Sequence, residues 1–167
     1  MSARPEPISP LTPEVPRNRW LLAAGVGSML VAVLHVVIIF VGPSAYRYFG
    51  AGSMAPLAER GSYIPALLTG AFAGVFALWG LYAFSGAKLI LHLPFLRPVL
   101  FIIGGVYTLR GLLIVIDLYY LFAGKHPAPH MATFSVGSLL IGLCYLLGSR
   151  QSGVTTNKTS TLQGESS

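Results

Sequence analysis

Four apolar runs, at 20–41, 64–86, 99–123 and 131–148, separated by short polar segments, constrain this chain more than any other feature. A helix rises about 1.5 Å per residue, so about 20 apolar residues match the hydrocarbon core of a bilayer. Each run meets or approaches that length. Hydrophobic residues make up 54% of the sequence and charged residues 10%, well below the quarter or so of charged residues usual in a soluble domain. The expected fold is therefore an all-α, four-helix transmembrane bundle formed by residues 20–148. It is flanked by tails at 1–19 and 149–167, whose composition points to disorder: the first is proline-rich, the second rich in Ser and Thr.

Features at the run boundaries support this division. Trp20 opens the first run at a position suited to the membrane interface. That run is too long for the apolar segment of a cleaved signal peptide, so an uncleaved anchor is expected. Pro65 and Pro98 sit where the first turn of a helix tolerates proline. In the first loop, Tyr46, Arg47, Tyr48 and Phe49 fit a segment lying at headgroup level, and MAPLAER has room for one or two helical turns. Trp79, Tyr82, Tyr119 and Tyr120 read as interfacial anchors.

The formal charge is +6, from eleven Lys and Arg against five Asp and Glu. These cations form no run, so membrane contact and orientation explain them better than nucleic acid does. Arg4, Arg17, Arg19, Lys88, Arg97, Arg150 and Lys158 fall on one side, against Arg47, Arg60 and Lys125 on the other. The positive-inside rule then places both termini in the cytoplasm.

Chemistry-bearing residues are few. Cys144 is the single cysteine, so neither an intrachain disulfide nor a thiolate zinc site is expected, and it reads as a small apolar core residue. No metal-ligand set, nucleophile elbow or phosphate loop occurs, and no cofactor is expected. His92, His126 and His130 belong to loops or span ends.

Within the spans stand His35, Arg110 and Asp117. A charge at the bilayer centre costs about 2.5–3.5 kcal/mol on the insertion scale, so such residues need partners. Seven residues apart in the expected third span, Arg110 and Asp117 share a helix face about 10 Å apart, with His35 between them in depth. Two readings stand: a site with Asp117 as acceptor, His35 as switch and Arg110 as anchor, or a buried polar staple that sets helix register. Gly70 and Gly74 form a GxxxG, expected to mark a close helix-packing seam with another helix of this chain or a second copy.

The segments YRYFGAG, LAERGSYIPALLTGAFAGVFALWGLYAFSGA, LPFLRP and YTLRGLL resemble a group of small four-span bacterial inner-membrane proteins of unknown function, over about residues 20–148. The loop after the first span is also similar in topology to DoxX-like four-helix proteins. The resemblance implies a bacterial cell membrane and transfers no catalytic residue. The sequence thus favours a non-enzymatic accessory or structural component. Its partners are the lipid bilayer and either another membrane protein or a second copy. The alternative is a small transporter or proton-coupled sensor using His35, Arg110 and Asp117.

Overall fold

A computed structural model describes residues 17–123 and 129–163; within these, the side chains at 117, 120, 121, 129–131 and 152–163 are not described. The expectations for residues 1–16, 124–128 and 164–167 lie outside the described residues. All regular structure among the described residues is helical. Four helical stretches are long and apolar enough to cross a membrane: Arg19–Val41, Ile64–Gly86, Leu96–Ile116 and Ala132–Gln151. The chain has the architecture of a multi-pass membrane protein.

Helix α1 spans Arg19–Val41. Asn18 starts it, its side-chain oxygen accepting from the Leu21 amide at 3.3 Å, which satisfies one orphan donor of the first turn. Gly42, at φ +77°, ends it; a left-handed backbone there favours glycine. Pro43 then opens α2, Pro43–Tyr48, since its missing N–H costs nothing in a first turn. After a 3-10 turn at Gly52–Met54 comes α3, Ala55–Glu59, the short helix expected within MAPLAER. Ala45, Tyr46 and Ala55 bury against Ile38, so this loop packs on the end of α1. Arg47 and Glu59 pair on its exposed surface.

Helix α4, Ile64–Gly86, coincides with the expected second span. The Ser85 hydroxyl folds the next connection over the end of α4: it donates to the Leu91 carbonyl at 2.8 Å and accepts from the Leu93 amide at 2.9 Å.

The third span departs from expectation. It is α5, Leu96–Gly111, then a break at Leu112–Leu113, then α6, Ile114–Phe122. Across the break, the amides of Leu113, Val115 and Ile116 bond three residues back, to Arg110, Leu112 and Leu113. This is a tightened 3-10 turn, so side chains beyond it rotate away from their α-helical faces. The fourth helix, α7, runs from Pro129 to Gln163, past the expected span end at Gly148 and through a segment whose composition leads to the expectation of a disordered tail. Extending a formed helix avoids the nucleation cost that makes isolated helices of such composition marginal.

Around the bundle the order is α1, α4, α5, α7, with α1–α4 and α5–α7 the most extensive pairs and α6 lying on α7. Buried small residues recur every seven positions along the seams: Ala73, Gly80 and Ala87 in and after α4, Gly104 and Gly111 in α5, Ser135, Gly142 and Ser149 in α7. Seven residues is the repeat of left-handed helix pairing, and small side chains let backbones approach. The approach is closest at Gly111, where an added Cβ would lie 2.6 Å from the Leu139 backbone, and at Gly142, where it would lie 2.6 Å from the Thr108 amide nitrogen. Leu21, fully buried, wedges between Gly86 and Gly148; a Cβ at either would come within 2.6 Å of its side chain.

Gly70 and Gly74 do not make this seam. A Cβ at Gly70 would meet only Ile39, at 3.8 Å, and one at Gly74 would meet nothing within 4 Å. Gly70 thus meets α1 only at ordinary contact distance and Gly74 is exposed, whereas the heptad positions Ala73 and Gly80 are buried.

Candidate functional site

A chain of three hydroxyls lies at the centre of the bundle, and it joins all four long helices. Ser28 of α1 is fully buried, as is Tyr145 of α7, and Tyr107 of α5 is 4% exposed. The Tyr107 hydroxyl donates to Ser28 Oγ at 3.2 Å. Ser28 Oγ and the Tyr145 hydroxyl are 2.8 Å apart. The Tyr145 hydroxyl donates to the Trp79 carbonyl of α4, also at 2.8 Å.

Counting protons fixes the direction of the middle bond. A hydroxyl carries one donor. Tyr145 gives its proton to a carbonyl, which only accepts, so Ser28 donates to Tyr145. The chain therefore reads Tyr107 to Ser28 to Tyr145 to Trp79 carbonyl, with every proton used. It crosses the bundle diagonal, because Ser28 and Tyr107 belong to helices that are not neighbours around the ring.

Aromatic rings surround these hydroxyls. Tyr107 and Tyr145 stack at 5.9 Å and 12°. Trp79 meets Tyr107 edge-on at 5.4 Å, and Phe76 meets Trp79 at the same separation. Ring edges and faces carry opposite partial charge, which favours such tilted contacts. Trp79 is thus an interior residue, contrary to its reading as an interfacial anchor: it lies well inside α4, where its indole faces the other helices. Half-buried Cys144 packs against the same core.

His35 sits at the edge of this aromatic group. Its Nδ1 is 2.8 Å from the Val31 carbonyl one turn back, so Nδ1 carries the proton in that bond. Its ring lies 4.9 Å from Phe76 and 6.4 Å from Phe72. It therefore faces α4. Arg110 lies on the exposed side of α5, and its Nη1 donates to Ser135 of α7 at 3.4 Å. No described contact joins His35 to Arg110. The backbone of Asp117 lies in the first turn of α6, beyond the break, and its side chain is outside the described residues.

Two further polar groups bear on the packing of α7. Asn18 Nδ2 donates to the Gly148 carbonyl at 2.7 Å, tying the start of α1 to α7. Thr108 Oγ1 is buried without a hydrogen-bond partner. An added Cβ on Gly142 would lie 2.5 Å from that oxygen, so a Gly142 Cα–H points at it, the weak C–H···O contact that recurs where helices approach closely.

Among the described residues, no three His, Cys, Asp or Glu gather as a metal-ligand group. Comparison with protein-family models, with curated proteins and with solved structures finds no match.

Proposed function

We propose that this chain is a non-enzymatic accessory or structural component of a bacterial inner membrane, with both termini in the cytoplasm. The membrane assignment draws on the four-span resemblance and the orientation on the distribution of Lys and Arg. The observation that carries the functional reading is the closed hydroxyl chain. Its last acceptor is the Trp79 carbonyl, and a peptide carbonyl has no proton to pass on. The chain thus ends where a proton relay would have to continue. Such a fully used network fixes helix register and rigidifies a core.

A second reading, a small transporter or proton-coupled sensor, is favoured by one observation. Arg110 and Asp117 flank the break at Leu112–Leu113, and broken helices build the ion and substrate sites of many transporters. Reconstitution separates the two. Proteoliposomes loaded with a pH-sensitive dye should show no proton flux above empty vesicles under an imposed gradient or potential. Flux that His35→Phe or Asp117→Asn abolishes would establish the second reading instead.

A further inference from the structure

Among the described residues, Arg110 carries a charge within a span that the core does not balance. Val106 and Leu113, about one turn before and after it, and the adjacent Leu109 are 45%, 43% and 71% exposed, so the surface around Arg110 is apolar and open to lipid in a spanning bundle. A guanidinium offers five N–H donors, and Ser135 takes one of them at 3.4 Å.

The register between α5 and α7 shows where the guanidinium goes. Gly104 lies against Tyr145 and Leu146, Thr108 against Gly142, and Gly111 against Leu139. Ser135 is four residues, about 6 Å, beyond Leu139 along α7 toward the end of the bundle that carries α2 and α3, so the Arg110 side chain reaches toward that end. Helical side chains ordinarily lean the other way, toward the N-terminus of their own helix. Phe134, next to Ser135, touches Phe49 at the end of α2, so Ser135 lies close to that end of the bundle. The guanidinium is thus directed toward the end of the bundle that carries α2 and α3, the direction a snorkelling arginine takes.

We propose that Arg110, positioned by Ser135, binds the phosphate of an anionic lipid headgroup in the leaflet next to α2 and α3. The occupant must supply an anion at the interface and apolar chains beside Val106, Leu109 and Leu113, and an anionic phospholipid supplies both. Arginine pairs with phosphate through parallel N–H donors, so lysine replaces it incompletely. The proposal rests on the reading that the bundle spans a bilayer.

The test uses the full chain, purified in a neutral detergent, with thermal melting followed as phosphatidylglycerol, phosphatidylcholine or inorganic phosphate is added. Phosphatidylglycerol should raise the midpoint by about 5 °C near saturation, phosphatidylcholine by much less, and inorganic phosphate not at all. Arg110→Gln should remove the difference between the two lipids, Arg110→Lys should keep part of it, and Ser135→Ala should weaken it. Native mass spectrometry of the wild type in mixed lipid gives a readout that needs no variant to fold: retained phosphatidylglycerol is expected. Equal response to both lipids, or a full response in Arg110→Gln, overturns the proposal. A response to inorganic phosphate alone would mark a soluble-anion site and overturns the lipid assignment. Fractionation of the wild type tests the prior reading separately: a chain found outside membranes overturns the spanning bundle, whereas a membrane-bound chain with no lipid preference overturns only the headgroup site.

Discussion

The hydroxyl of Tyr145 reaches the carbonyl oxygen of Trp79 across 2.8 Å, bonding the fourth span to the second at the level where Ser28 and Tyr107 meet. Removing that hydroxyl alone isolates its contribution. Tyr145→Phe keeps the ring stacked on Tyr107 and leaves the Ser28 proton without its acceptor. A loss of about 1–2 kcal/mol is expected, since interhelical hydrogen bonds in membrane proteins are modest and a stranded buried donor adds its own cost. Unfolding in detergent and denaturant measures it; an unchanged midpoint would show that the bond adds nothing to stability.

Gly111 and Gly74 should respond oppositely to the same substitution. Gly111→Ala puts a methyl 2.6 Å from the Leu139 backbone, which cannot rotate aside, so α5 and α7 must separate. The expected cost is about 1–3 kcal/mol. Gly74→Ala meets nothing within 4 Å and gains helix propensity of up to about 1 kcal/mol, so it should be neutral or mildly stabilising. Melting of the two variants beside the wild type checks both, and a destabilised Gly74→Ala would show that a second copy packs on that face.

If a lipid phosphate balances Arg110, the effects of Arg110→Leu and Asp117→Leu on folded yield and melting should add. Were the two residues an ion pair, each single change would strand a charge and the double change would recover much of the loss. Recovery in the double variant would place the counter-charge within the chain.

Membrane topology follows from the charge distribution. Reporter fusions after Gly52 and after Ser149 should read opposite sides, with Ser149 cytoplasmic. Identical readings would contradict the crossing of α4, α5 and α7 between those points.

Long apolar runs are a strong signal, and α4 matched its expected bounds residue for residue while α1 began one residue early. The break at Leu112–Leu113 was not legible, because no proline marks it and Gly111 alone is tolerated within helices. The GxxxG of Gly70 and Gly74 predicts a seam with another helix of this chain or a second copy; within the chain the close approach follows the seven-residue spacing of Gly104 and Gly111, and of Ser135, Gly142 and Ser149. Spacing shows which residues share a face and leaves open which face meets a neighbour. His35, Arg110 and Asp117 drew notice because charge in a membrane is costly. The hydroxyl chain carries no formal charge, so the same argument does not single out Ser28 or Tyr145. A tyrosine and a serine deep within apolar runs were the available signal, since a buried hydroxyl needs a partner.

Ser28 and Tyr145 act as one bonded unit holding the bundle. A double-mutant cycle tests it most directly, with Ser28→Ala, Tyr145→Phe and the double variant unfolded under identical conditions. Non-additivity of about 1 kcal/mol is expected, the second change costing less once the first has been made. Strictly additive effects would contradict it, for they would mean that the two hydroxyls, although 2.8 Å apart, contribute to the fold independently.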